Sequence, residues 1–490
     1  MKDNIRYNVI VNLIRTLVLT ILSFISFPSV CKALGENMMG TYTWANTFVY
    51  YFLVIARSGI PNVAIRECSK VRDDKEKLSQ KVQEFFIIQA VLTVLSFILM
   101  CIMIFSIREL RDWKELIFIL SINFVVGAFS FEWVFIALEK HYFISFRSII
   151  TLAISSILII SLVKGPHNLY LYAVFAILTT IFTVIINCFA LRKYVTFKYV
   201  GKYNFKQYFK PIFIIFIISL ILTLYNSTDT FILGFLDSEK SSVASYSVGI
   251  KSIEIIITLI TSLDAVFIPR ATKYYKLENK TFFHNLTKYG FNICLFIAIP
   301  AVVTMAALSN QITKIISSGA EGYLDANVIL IILVSMSLTF SLADMIYEQV
   351  LLPMKKEKYY LFTLLMGTIL NIGGSISLGL LFDTRPAIGV AIATMLADVV
   401  VLGNLIFLAK DYAIKALFNK NSLKLVIAGL LVAISSFVLT TFLKINNDIW
   451  QMVVVVLVGA VVYLGSLILM KENLVMSFVN KRGVQDERPQ

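Results

Sequence analysis

The chain has 490 residues, 58% of them hydrophobic and only 15% charged, with a mean hydropathy of +0.82. Soluble domains are roughly half apolar and about a quarter charged, so the composition excludes an ordinary soluble fold and makes the bilayer the expected solvent. The formal net charge of +14 is divided among separate short loops, which argues against a nucleic-acid partner and for a topology signal.

Apolar segments fall at 8–29, 41–61, 82–106, 115–138, 141–163, 167–190, 211–235, 243–267, 284–308, 326–350, 358–381, 387–409, 424–443 and 449–470. Each approaches the about 20 residues that cross the hydrocarbon as a helix. The runs are continuous rather than alternating, so they are not barrel strands. The first segment lacks an A-x-A cleavage site, and Phe27-Pro28-Ser29-Val30 before Cys31 lacks the small residue of a lipoprotein signal. It therefore reads as a retained helix. The five cysteines have no metal-ligand spacing and read as small apolar residues. The longest connections, 62–81 and 191–210, are too short for a separate domain. Most of the 44 Lys and Arg lie in the N-terminus, the even-numbered connections and the C-terminus. Cytoplasmic loops retain positive charge, which predicts fourteen spans with both termini cytoplasmic.

The chain echoes itself. Leu34-Gly35, Tyr42 and Arg66 answer to Leu233-Gly234, Tyr246 and Arg270, with the same 24 residues from tyrosine to arginine. Glu139-Lys140-His141-Tyr142 answers to Glu357-Lys358-Tyr359-Tyr360, and Pro166 to Pro386. Six helices per repeat is an even number, so the halves share one orientation, as in transporters whose parallel lobes rock around a central site. The expected divisions are a six-helix lobe over 1–200, a second over 201–420, and two additional helices with a short cytoplasmic tail over 421–490.

Several stretches together resemble the multidrug/oligosaccharidyl-lipid/polysaccharide flippase superfamily in its polysaccharide branch, the Wzx-type repeat-unit flippases. They are Phe27-Pro28 with Leu34-Gly35-Glu36, Gly40-Thr41-Tyr42, Gly59-Ile60 leading to Arg66, Phe131-Glu132-Trp133 followed by Leu138-Glu139-Lys140, and Asp229 with Leu233-Gly234, Tyr246 and Pro269-Arg270. The resemblance covers roughly residues 5–410. It implies a MATE-like, all-α integral membrane fold and a transporter rather than an enzyme. The implied substrate is an undecaprenyl-diphosphate-linked oligosaccharide, moved from the inner to the outer leaflet of the bacterial cytoplasmic membrane for capsule, exopolysaccharide or O-antigen assembly. The implied partners are membrane lipids, the polysaccharide polymerase and chain-length machinery. No cofactor is implied beyond Na⁺ or H⁺ coupling, and no firm metal site.

Ionisable residues inside spans are costly and mark function by default. In the first half these are Arg15, Arg57, Arg147 and Glu132, a net positive set. In the second they are Lys251, Lys288, Asp229, Glu254, Asp264, Asp344, Glu348 and Asp398, a net negative set. Arginine suits a diphosphate through bidentate donation. Arg15, Arg57, Arg147 and Lys251 are thus the candidate diphosphate ligands. The bland alternatives are snorkelling for the arginines and self-neutralisation by Glu254, three residues on, for Lys251. Lipid II flippases of the same superfamily carry basic cavity residues on their first, second and eighth helices, where Arg15, Arg57 and Lys251 stand here. For coupling, Asp229 leads. Asn371, Ser375 and Thr394 add oxygen donors suited to a hard cation, and Asp398 is an alternative proton carrier. The grouping is similar to the sodium site of some lipid II flippases, with Ser375 where those have a second acid.

Glu132 and Trp133 are expected near the outer end of the fourth span, where Trp acts as an interfacial anchor. The uncharged last two spans form either a groove for the lipid tail or ordinary lipid-facing helices. Two rival functions remain. One is a cation-coupled drug or metabolite exporter of the multidrug branch, against which the two extra spans and the Glu-Trp pattern argue. The other is a membrane polymerase or acyltransferase, against which stand the lack of a large outer loop and the scatter of His141, His167 and His284. Asp73-Asp74 lies in a basic loop as a solvated charge run, and no G-x-x-x-x-G-K-[ST] loop is present.

Overall fold

The computed structural model describes residues 5–57, 59–277, 279–320, 322, 323, 325–443, 445 and 447–479. The described residues form helices and turns with no strand. Thirteen of the helices are long and apolar enough to cross a membrane. The first, Ile5–Arg57, is two helices joined at Gly35, whose φ of 73° and ψ of 174° are non-helical. A straight helix of 53 residues would run about 80 Å through roughly 30 Å of hydrocarbon. Gly35 is the break that divides it into two crossings, because that backbone region is open essentially to glycine alone. Counted so, the fourteen expected spans are present. Their ends track the apolar segments closely, as in Lys75–Ser106, Glu357–Leu381 and Pro386–Leu408.

Three spans are irregular inside. The fourth runs Lys114–Gly127, unwinds, and resumes as Glu132–Ala137, with Phe131 left-handed at φ 47°. The eighth stops at Thr261, and a separate helix, Asp264–Lys276, carries the chain on. The tenth, Ala326–Ile346, widens into a π turn over Tyr347–Leu351. Within hydrocarbon such backbone survives only where protein or a cavity surrounds it.

The chain divides into two compact units: Met1–Ala244 with Ala320–Tyr323, and Ser245–Gly319 with Leu324–Gln490. In the first, the second span (36–57) packs on the seventh, Lys206–Leu236, through missing side chains. A Cβ on Gly234 would lie 1.9 Å from Trp44 Cδ1, and one on Gly40 would lie 1.8 Å from the Lys240 carbonyl oxygen. Trp44 and Phe48 stack on Phe231, with Tyr51 edge-on to it at 5.5 Å. Buried Lys240 donates to the Gly234 carbonyl at 2.8 Å and lies 4.4 Å from the centre of the Trp44 ring. The seventh span is thereby part of this unit. Buried Glu84 on the third span accepts from the Tyr208 hydroxyl at 2.6 Å and the Asn204 amide at 2.8 Å. Those bonds pin the connection before the seventh span.

In the second unit the last two spans, Lys420–Phe442 and Asp448–Leu469, pack on each other and on Lys280–Ala307. Gly429 admits Ile299, and Gln451 ties the pair by donating to the Leu443 carbonyl. Their outward faces, including Phe437 and Val461, are exposed.

Overpacking a tight contact typically costs 1–3 kcal/mol, whereas a helical Gly→Ala in open space is neutral or stabilising. Gly234→Ala is therefore expected to lower the unfolding temperature in detergent by several degrees. Gly403→Ala, where a Cβ meets nothing within 4 Å, should leave it unchanged or raise it.

Candidate functional site

Three of the in-span arginines meet around one carboxylate in the first unit. Arg15 Nη2 donates to Glu132 Oε1 at 3.4 Å, and Arg147 Nη2 donates to Glu132 Oε2 at 3.1 Å. Arg57 Nη2 donates to Ser130 Oγ at 3.4 Å, two residues before Glu132. The unwound stretch of the fourth span makes this possible. It frees the Ser130 carbonyl to accept from buried Asn187, whose own oxygen accepts from Arg147 Nη1. Gly127, at the end of the first helical piece, faces Arg57: a Cβ there would stand 3.3 Å from Nη1. Arg147 is almost wholly buried.

Three guanidinium groups and one carboxylate leave two positive charges unmatched within the cluster. The Nε atoms of Arg15 and Arg147 are buried and have no acceptor among the described residues. Buried charge without partners is among the costliest features a protein can keep. The arrangement is chemically ready for a compact anion with several oxygens, which would accept the spare donors and neutralise the excess.

The expectation for Glu132 and Trp133 needs correction. Glu132 lies level with the three arginines rather than at the opposite end of its span. Trp133 is 2% exposed and packs on Phe85 and Phe131, so it is a core residue and not an interfacial anchor. The topology argument itself puts the end of an even-numbered span on the arginine side. Asn187 carried no charge to draw attention to it, and the polar residue inside an apolar span was the available signal.

Lys251 belongs to the second unit, where its Nζ donates to Glu254 Oε2 at 2.5 Å within one helical turn. The coupling candidates divide similarly. Asp229 is buried in the first unit beside Tyr51 and Thr228. Asn371, Ser375, Thr394 and Asp398 are buried on the eleventh and twelfth spans of the second. Asn371 Nδ2 donates to Thr394 Oγ1 at 3.1 Å, and Thr394 donates in turn to the Val390 carbonyl.

The second unit also gathers acids that spacing in the chain does not connect. Asp264, at the start of its helix after the eighth span, lies against Asp344 on the tenth, with Glu348 in the π turn one helical turn on. Cys294 and Tyr360 border them, and Tyr360 stacks on Tyr347 at 3.7 Å. Neighbouring carboxylates repel unless a proton or cation stands between them. No group of three or more His, Cys, Asp or Glu among the described residues is arranged to hold a metal ion.

Comparison with known proteins adds a lineage to this geometry. The model of the family described as polysaccharide biosynthesis protein matches residues 5–275, and the MatE model matches residues 215–376. No curated protein matches. Among solved structures, the lipid II flippase MurJ in an inward closed conformation superposes with a TM-score of 0.73. It is 19% identical over 96% of this chain and 98% of that one. An inward-facing multidrug resistance MATE family transporter of the MOP superfamily superposes at 0.62, with 16% identity over 83% of this chain and 99% of that one. The outward-facing conformation of such a transporter gives 0.51 at 14% identity.

Removing one partner of a buried ion pair strands the other. Glu132 is 28% exposed, so the expected cost of Glu132→Gln is roughly 1–3 kcal/mol. The check is thermal unfolding in detergent, where Glu132→Asp should recover part of the loss.

Proposed function

Since the chain belongs to the polysaccharide biosynthesis protein family and is a multi-pass MOP-type transporter rather than an enzyme, we propose that it flips polyprenyl-diphosphate-linked oligosaccharide repeat units from the inner to the outer leaflet of the bacterial cytoplasmic membrane. The observation that carries this reading is the arginine cluster, with two unmatched positive charges and two idle buried donors around Glu132. A diphosphate is a compact polyanion that fits both deficits. Arg15, Arg57 and Arg147 of the first unit hold the diphosphate; Lys251, paired with Glu254, is the second unit's own candidate for an anion. Both termini are cytoplasmic, so that the cluster faces the leaflet on which the lipid-linked unit is made.

A cation gradient drives the return of the empty carrier. The second unit supplies the carboxylates for it: Asp398 beside the Asn371–Thr394 pair, and the Asp264–Asp344–Glu348 group. Asp229 is the first unit's candidate. The crowding of Asp264 against Asp344 favours a proton as the ion. Capsule, exopolysaccharide or O-antigen assembly, with its polymerase and chain-length machinery, is the destination of the product.

The test is deletion of the gene in its host, followed by lipid extraction and mass spectrometry. Full-length lipid-linked repeat units should accumulate on the cytoplasmic leaflet while surface polysaccharide falls. Arg57→Ala and Arg147→Ala, expressed at verified levels, should accumulate the same species, each with export reduced at least about tenfold, in line with the cost of losing one charge-assisted contact. Normal surface polysaccharide with no accumulated intermediate would refute the flippase and favour a small-molecule exporter. Asp344→Asn should slow export while the protein still binds the lipid-linked unit, and its export should lack the dependence on external pH expected of the intact protein.

A further inference from the structure

A concave, almost wholly apolar groove of about 630 Å³ opens on the surface of the first unit, where Val91, Phe209 and Phe213 are exposed. The volume lies within the roughly 300–1,000 Å³ of ligand pockets. Its walls come from the second span through Ile55, the third through Val91 and its neighbours, and the seventh. The seventh span contributes a stripe of rings: Phe205, Phe209, Phe213 and Phe216 recur at helical spacing along one face. That stripe runs about 16 Å at 1.5 Å per residue. Lys206 is the one charged side chain among the described lining residues, and it stands at the start of the helix, where the first turn's amide groups also favour an anion.

We propose that this groove holds the isoprenoid tail of the polyprenyl-diphosphate substrate, with Lys206 meeting the phosphate end as the lipid is taken up. The inference rests on the flippase reading and adds the place where the tail is carried. Two features support that occupant. The charge among its described lining residues is positive and sits at one end, complementary to a lipid with an anionic head. Its lining is continuous, through Ile55, with the helix that carries Arg57, so the anionic end of a lipid seated there comes beside the proposed diphosphate ligands.

The second span is the partition between tail and head. Ile55 lines the groove, and Arg57, two residues on and so on another face of the helix, bonds Ser130 in the arginine cluster. The span ends directly afterwards at Gly59, where a Cβ would stand 2.4 Å from the carbonyl oxygen of Ile212, itself a lining residue. A lipid held in the groove has its anionic end beside the terminus of the helix that carries Arg57.

The test uses the full chain in nanodiscs with a long-chain polyprenyl phosphate carrying a diazirine within the first few isoprene units from the phosphate, the part of the chain that a groove of this length holds. After irradiation, adducts are mapped by peptide mass spectrometry. Adducts are expected within residues 87–92 and 209–216. They should be suppressed by excess unlabelled polyprenyl phosphate and not by the same excess of phosphatidic acid. Val91→Trp should reduce labelling about tenfold by filling the groove. Val91 is 53% exposed, so the larger ring does not disturb the core. Lys206→Gln, on an exposed side chain, should weaken binding severalfold when the probe is titrated. Equal competition by phosphatidic acid, or adducts confined to other helices, would overturn the proposal. Export of repeat units is measured in parallel in cells. Export without groove labelling overturns the groove and leaves the flippase standing. Groove labelling that only polyprenyl phosphate displaces, in a protein whose deletion leaves export intact, keeps the groove and removes the flippase.

Discussion

A guanidinium group cannot shed its proton at any pH a cell survives, and in hydrocarbon it must be bonded, paired or hydrated. The first unit holds three of them within reach of one carboxylate, and much of its local architecture follows from that demand. The fourth span gives up its helical bonds between Gly127 and Glu132. The carbonyl and hydroxyl of Ser130 then become available, and Asn187 bridges the freed backbone to Arg147. What remains unsatisfied is positive and donor-rich. Such a site is chemically matched to an anion, which is the basis of the proposed diphosphate grip.

The same economy of packing appears where the helices touch. Gly40 and Gly234 let the second and seventh spans approach until Trp44 and the Lys240 carbonyl occupy the places of their missing side chains. Without a hydrophobic drive between helices in lipid, such small residues are what permits close packing. The contact draws the seventh span into the first unit, together with Asp229 and the ring stripe from Phe205 to Phe216.

The spans were readable because a bilayer imposes one length and one composition on every crossing. Gly35 interrupts what would otherwise be a single 53-residue helix, and the polar stretch around it already marked the turn. Arg15, Arg57 and Arg147 were readable for the opposite reason, as charges where charges are costly. Their convergence was not readable, since 132 positions separate the first from the last. Glu132 was seen but misplaced, although an even-numbered span ends on the arginine side; the break in the fourth span that frees Ser130 was not foreseen. Asp264, Asp344 and Glu348 were each visible as acids inside apolar segments. Nothing in their spacing said that Asp264 and Asp344, some 80 positions apart, would touch. The apolar groove left no trace at all: Ile55, Val91 and Phe213 differ from other lipid-facing residues only in enclosing a concavity.

The unmatched charge on the arginine cluster has an electrical side as well. An elementary charge moved across the membrane potential exchanges about 2.3 kcal/mol per 100 mV. Any rocking of the first unit that carries Arg15, Arg57 and Arg147 through part of the bilayer therefore does work on the field. A diphosphate esterified at both ends carries two negative charges, so its binding, as proposed, would cancel the cluster's excess and with it that work. The empty cluster would then respond to voltage and the loaded one would not, which makes the three proposed ligands a voltage-sensing element as well.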